Sequence, residues 1–205
     1  MPLVVENLTV VRGGRSVLTG LGFTAAPGET VTLTGHNGVG KSTLLRAIAG
    51  YIAPEQGSVR FVEVGSADDP STAERAHFIG HLDGVKAALT VIENARFWGT
   101  YLGGDAALVT SVLERVGLAG LALVGTRFLS AGQKRRLALA RLLLASRPLW
   151  LLDEPTASLD TAGQMMLADM AGEHLDAGGI IVAATHVPLG FPNTRELQLG
   201  AVGSA

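Results

Sequence analysis

Residues 35–42 read Gly-His-Asn-Gly-Val-Gly-Lys-Ser, the pattern G-x-x-x-x-G-K-S. This loop requires a strand that delivers the chain to it and a helix that carries the chain away. Both are legible. Thr30-Val31-Thr32-Leu33-Thr34 is a β-branched, apolar run, and Thr43 to Ala49 reads as a helix. Glycines let successive backbone N–H groups turn inward around phosphate oxygens, and the positive end of the following helix faces the same anion. Gly35, His36, Asn37, Gly38, Val39 and Gly40 would form the cradle, with Thr43 just beyond it. Lys41 would reach the β- and γ-phosphates of a nucleotide, and Ser42 would hold Mg²⁺. The alternative is a glycine-rich turn before an ordinary helix, and the flanking strand and helix argue against it.

A chain of 205 residues suits one domain, or one domain carrying an insertion, and is long enough to bury a substantial core. The net charge of −2 gives no basic field for nucleic acid. Cysteine is absent, so disulfides and thiolate metal sites are excluded. No N-terminal segment pairs a basic region with an apolar stretch, so no signal peptide is expected. The uncharged run 177–194 contains His186, two prolines and three glycines, and reads as strand plus loop rather than a membrane span. At 47% hydrophobic residues and mean hydropathy +0.35, the chain is more apolar than most soluble domains. A covered docking surface or a large core would each account for that.

Val4 to Val11 and Val17 to Ala25 read as strands joined by a Gly13-Gly14 turn. Gly50 stops the first helix, Pro54 to Gly57 is a turn, and Ser58 to Val64 is a strand. Ala67 to Glu74 reads as a polar loop and His77 to Gly80 as a short strand. Thr90 to Tyr101 is helical, with Thr90 and Glu93 at capping-box spacing. Asp105 to Val116 is a second helix, capped by Asp105 and stopped by Gly117. This mostly helical middle block reads as an insertion. Leu149 to Leu152, Thr161 to Leu175 and Ile180 to Ala184 follow as strand, helix and strand, implying a largely parallel sheet covered on both faces.

Two further motifs carry chemistry. The strand Leu149-Trp150-Leu151-Leu152 ends in Asp153-Glu154. Alone, such a pair is often an exposed strand end. Beside a phosphate loop, Asp153 would bind Mg²⁺ through a water and Glu154 would orient or deprotonate the attacking water. Leu129-Ser130-Ala131-Gly132-Gln133 precedes a helix, Lys134 to Ala145, with Ser130 as its N-cap and small neighbours that leave N–H groups open to an anion.

The series of phosphate loop, L-S-A-G-Q and L-L-D-E-P resembles the nucleotide-binding subunits of ABC-type ATPases over nearly the whole chain. Ser158-Leu159-Asp160 looks like the D-loop, and Thr185-His186 like the switch histidine. The resemblance implies an α/β P-loop NTPase of ABC type: a mixed, largely parallel sheet flanked by helices, an antiparallel β part and an inserted helical subdomain at about 82–145, within one domain over 1–205. It also implies ATP and Mg²⁺ as ligands, Glu154 and His186 as catalytic groups, and a head-to-tail pair of subunits around two ATP molecules. Ser130, Gly132 and Gln133 would then act on nucleotide across that pair, and Asp160 of the D-loop would belong to the nucleotide site. Two family positions differ. Arg12 stands where an aromatic stacks on adenine, and a guanidinium plane can also stack. His81 stands in place of the Q-loop glutamine, to sense Mg²⁺ or the attacking water, or to contact a partner.

The stretches from Gly80-His81 to Leu89-Thr90, Glu93 to Trp98, Leu129 to Arg136 and Arg147 to Pro155 are similar to the ATP-binding subunits of the cytochrome c biogenesis (haem export) ABC transporters. That subfamily usually has glutamine where Leu82 stands and proline where His36 stands. The resemblance implies an energy-coupling ATPase at the cytoplasmic face of the inner membrane, peripheral, and bound to an integral membrane subunit. On that reading Arg96-Phe97-Trp98 helps form a socket for the membrane partner; without it, the aromatics would simply pack and Arg96 would be solvated. An ATP-binding subunit for another transported substrate, or a soluble non-transport ABC ATPase, are the alternatives.

Overall fold

In a computed structural model, the structure describes residues 1–62 and 72–200. Strands β1 (Leu3–Arg12) and β2 (Arg15–Ala25) form a hairpin. Its connection is Gly13-Gly14, with φ of 55° and 75°. A type I′ hairpin turn needs positive φ at both central positions, which glycine adopts without steric cost. The inward residues of β1 are Leu3 and Val5, then Leu8 and Val10. This change of parity follows a register shift between Val5 and Leu8, where Asn7 has φ 47°. The extra residue of the bulge keeps apolar side chains on the core face past the irregularity.

The chain next forms β3 (Thr30–Thr34), the phosphate loop and helix α1 (Lys41–Ile48). Strand β4 (Gln56–Phe61) pairs antiparallel with β1, completing a three-stranded sheet ordered β2-β1-β4. Residues 63–64 of the expected strand Ser58 to Val64, and 67–71 of the expected polar loop, lie outside the described residues. The end of that loop is corrected: Thr72–Arg75 form a short helix, α2, which runs directly into β5 (Ala76–Ile79).

Helix α3 (Val91–Tyr101) carries the expected capping box. Glu93 N–H donates to Thr90 Oγ1 at 3.3 Å, and Thr90 N–H donates to the Glu93 carboxylate at 2.8 Å. The expected helix Asp105 to Val116 begins as a 3₁₀ turn over Ala106–Leu108, with Asp105 accepting from Ala107 N–H, and continues as α4 (Val109–Arg115). Helix α5 (Ala131–Leu144), strand β6 (Leu149–Asp153), helix α6 (Thr161–Asp176), strand β7 (Ile180–Ala184) and strand β8 (Thr194–Gln198) complete the order.

The second sheet has five strands in the order β5-β6-β7-β3-β8, and all its pairings are parallel. Its inner strands β6 and β7 are buried on both faces, as helix-covered parallel strands must be. Leu149 and Leu151 face α1 and the antiparallel sheet, while Trp150 and Leu152 face α5 and α6. A third apolar cluster joins α3, α4 and α5 through Ala95, Val112, Leu113 and Leu137. No helix among the described residues is long and apolar enough to cross a membrane. The parallel topology sets the C-terminal ends of β3, β6 and β7 side by side, where ligands bind in such sheets.

Candidate active site

The phosphate loop leaves β3 and winds into α1 through Gly35, Gly38 and Gly40, at φ of 134°, 82° and 110°. At Gly40 a Cβ would also lie 3.0 Å from Leu18 Cδ2. Helix α1 starts at Gly40 with no side-chain cap and no acidic residue in its first turn. Its first N–H groups and the positive end of its dipole therefore face the loop uncompensated, an arrangement suited to an anion. Lys41 is only 7% exposed, and its ammonium donates to the carbonyl oxygens of Gly35 at 2.7 Å and His36 at 3.2 Å. The cation is thus fixed across the cradle by the loop itself.

A cavity of about 480 Å³ brings together Asn37, Gly38, Gly40, Lys41, Ser42, Thr43, His81, Asp153, Glu154 and His186. Four separate segments of the sequence contribute to it. Asp153 ends β6 as a buried carboxylate, 6% exposed. Glu154, the next residue, adopts φ 48°, and its N–H donates to the Ala184 carbonyl at 2.9 Å. This left-handed backbone turns the second carboxylate away from the strand direction and into the cavity, at a cost of about 1 kcal/mol or more. His186 follows β7, and its Nε2 lies 3.5 Å from Glu154 Oε1. Its loop is braced by Thr185, whose hydroxyl accepts from Val187 N–H at 3.1 Å. A hydroxyl at Ser42 and a carboxylate at Asp153, both lining the cavity, fit Mg²⁺, which takes few protein ligands and completes its shell with phosphate oxygens and water. Among the described residues there is no cluster of three or more histidine or acidic side chains that would hold a metal without nucleotide.

Several expected site residues lie elsewhere. Ser130, Gly132, Gln133 and Asp160 do not line this cavity. Ser130 is exposed at the start of α5 in a second capping box. Its hydroxyl accepts from Gln133 N–H at 3.2 Å, and its N–H donates to Gln133 Oε1 at 2.9 Å. A Cβ at Gly132 would stand 2.8 Å from the Ser158 carbonyl oxygen, so only glycine lets the signature pack on the segment after β6. Asp160 caps α6 through Gly163 N–H at 2.9 Å and pairs with Arg136 at 2.6 Å, and these two bonds hold its carboxyl below the usual range. Gly35 lines a neighbouring cavity of about 480 Å³ with Thr185 and His186. Arg12, His36 and Val39 lie outside the lining: Arg12 is exposed at the end of β1, and Val39 is buried in the core.

Sequence reasoning missed Arg135. It is 2% exposed, and its donors are used on the carbonyls at the end of β6 and on Gly80 and Asp83 just after β5. A signal was present: Lys134-Arg135-Arg136 places three cations in the first turns of a helix, where its dipole disfavours them. Away from this cavity, Tyr51, Trp98, Tyr101, Arg141 and Arg147 line a groove of about 440 Å³. Tyr51 and Tyr101 are 67% and 71% exposed, and the Arg141 guanidinium lies 4.7 Å over the Trp98 ring.

The parallel sheet, uncapped helix and paired carboxylates define a P-loop NTPase fold, and the family follows from comparison. A model of the ABC transporter family matches residues 18–157, and the chain belongs to that family of ATP-hydrolysing subunits. It is 51% identical to the cytochrome c biogenesis ATP-binding export protein CcmA of Rhodopseudomonas palustris (strain BisB5), covering 96% of both chains. It is 46% identical to the protein of the same name from Mesorhizobium japonicum, over 99% of this chain and all of the relative. A solved ATP-binding subunit of an ABC transporter superposes with TM-score 0.82 at 26% identity, over 91% of this chain and 80% of that one. A dimeric ATP-binding cassette in a post-hydrolysis state, bound to ADP and Pi, superposes with TM-score 0.80 at 22% identity, covering 96% of each chain.

Proposed function

We propose that this chain is the energy-coupling ATPase of an ABC transporter that handles haem during c-type cytochrome biogenesis, seated peripherally on the cytoplasmic face of the inner membrane. The near full-length identity to cytochrome c biogenesis ATP-binding export proteins carries this reading. ATP binds through the loop 35–42, with Lys41 on the β- and γ-phosphates and Thr43 beside them. Ser42 and Asp153 hold Mg²⁺, which neutralises phosphate charge and helps fix the γ-phosphate for in-line attack. Glu154 takes the proton of the attacking water, and His186, within reach of that carboxylate, contacts the γ-phosphate side. His81 lies on the same cavity and serves as a polar contact to the metal's water shell.

Ser130, Gly132 and Gln133 act on the nucleotide of a second subunit. The exposure of Ser130, the partial exposure of Gly132 and Gln133, and the absence of all three from this chain's own cavity support that arrangement. Capping leaves the Ser130 hydroxyl proton and the Gln133 amide protons free to donate to phosphate. The membrane subunit docks in the groove of Tyr51, Trp98 and Tyr101, whose exposed aromatic surface next to a buried cation is otherwise unexplained. The helical region at about 82–145 contributes Trp98, Tyr101, Leu102 and Arg141 to that groove.

The test is Glu154→Gln. It removes the charge that activates water and leaves Lys41, Ser42 and Asp153 intact. The expected protein binds ATP, forms a long-lived dimer with ATP and Mg²⁺ on size-exclusion chromatography, reaches the membrane, and supports no holo-cytochrome c. Wild-type hydrolysis by this variant would remove Glu154 from its role. Normal holo-cytochrome c in cells lacking the whole chain would remove the biogenesis assignment.

A further inference from the structure

Arg135 lies one turn inside helix α5, and its guanidinium is almost wholly out of water. Arginine has five N–H donors in a rigid planar fork. All five have acceptors. Nε donates to the Pro155 carbonyl at 3.1 Å. Nη2 donates to the carbonyls of Asp153 at 3.1 Å and Glu154 at 2.7 Å. Nη1 donates to the Gly80 carbonyl at 2.9 Å and to the Asp83 carboxylate at 3.1 Å. Three consecutive carbonyls at the end of the catalytic strand and two oxygens flanking His81 therefore converge on one side chain. A buried guanidinium is costly to desolvate unless every donor is satisfied, so this arrangement holds only with all three segments in place.

Glu154 is the residue with most to gain. Its φ of 48° is unfavourable for a side chain with a Cβ, and two main-chain bonds flank it: N–H to Ala184, and C=O from Arg135. We infer that Arg135 is a positioning residue for hydrolysis: it fixes the Glu154 backbone, and with it the direction of the catalytic carboxylate, while tying the loop that carries His81 to the helix capped by Ser130. The inference rests on Glu154 as the group that activates water. Arg135 touches no substrate on this reading. It acts through Glu154 and the 80–83 loop, so its loss slows chemistry while leaving the phosphate cradle intact.

The experiment uses the chain assembled with its membrane partner. Arg135→Lys keeps the charge but has three donors on a flexible stem and cannot serve five acceptors. The expected result is a kcat lower by about tenfold or more, with KM and the equilibrium binding of ATP within about threefold of wild type. In a Glu154→Gln background, Arg135→Lys should lower the residual turnover no further than about twofold, because the group it positions is already disabled. A purely structural arginine would instead lower thermal stability, and its kinetic effect would multiply with that of Glu154→Gln; that result overturns the inference. Should Arg135→Lys not fold, Asp83→Asn carries the test alone. It preserves every main-chain acceptor, removes the one carboxylate on the fork, and should reduce kcat at unchanged ATP binding by about threefold or more. A kcat within about twofold of wild type in a folded Asp83→Asn protein would overturn the inference. Full activity of Glu154→Gln by itself would instead overturn the assignment of Glu154, and is read separately.

Discussion

At the scale of single residues, the site is a set of charges whose positions are fixed by main chain. Lys41 is held by the carbonyls of Gly35 and His36 and is almost out of solvent. Replacing it with alanine removes the cation that offsets γ-phosphate charge and also frees the loop it bridges. Lys41→Ala should therefore reduce turnover by about a hundredfold or more and weaken ATP binding, checked by ATPase assay on the assembled complex and by nucleotide titration. Gly132 is constrained from outside the site, by the Ser158 carbonyl. Gly132→Ala should lower turnover while ATP binding to the isolated chain stays near wild type, since the alanine methyl forces the signature away from the segment after β6. Titration alongside a turnover assay separates these effects.

Among elements, β5 contributes a pH dependence of stability. Burial pushes the His77 imidazole down to about 4, and its Nε2 lies 2.7 Å from the Ala145 carbonyl. In the unfolded chain the same group titrates near 6.5. The folded protein therefore binds fewer protons across this window. The full contribution is present above about pH 6.5 and is lost as pH falls toward 4. Between pH 7 and pH 5 the loss is about 2 kcal/mol. Urea unfolding at the two values, compared with His77→Gln, which can still donate to Ala145, should isolate it. Burial of His174, stacked on Trp150, shifts that group in the same direction. Elements also show where sequence was readable. The capping box at Thr90, the N-cap at Ser130 and the glycine hairpin follow from local chemistry alone, and the structure has each. Thr90→Ala should cost about 1 kcal/mol, measurable by thermal or urea unfolding. Strand β8 escaped because Arg195 and Glu196 sit in an exposed edge strand, where a short run with charges carries little apolar signal. The link from Arg135 to β6 was invisible for another reason: its acceptors are carbonyls, which every residue has.

For the whole molecule, the motifs separated along the sequence divide into two groups in space. The loop, Asp153, Glu154, His81 and His186 share one cavity, while the signature stands apart on α5. Arg12 also stands apart, because position on β1 relative to a base depends on how two sheets pack, which one strand's sequence does not encode. An in-trans signature gives a sharp expectation. Ser130→Arg should bind ATP normally as a monomer yet fail to hydrolyse it, and mixing it with a Lys41→Ala subunit should restore at most one of two sites. Loss of monomer ATP binding in a folded Ser130→Arg protein would contradict that arrangement.

Helix α5 has one more consequence. Leu139 and Leu142 pack beneath the parallel sheet, while Leu137, Ala140 and Leu144 pack with α3 and α4. A single rod thus belongs to two hydrophobic cores, and neither core can melt without exposing part of the other. The helical layer therefore has no independent unfolding transition. Calorimetry of the isolated chain should record one cooperative endotherm, with a calorimetric enthalpy equal to the van't Hoff value, rather than an early step for the helices followed by a later one for the sheet.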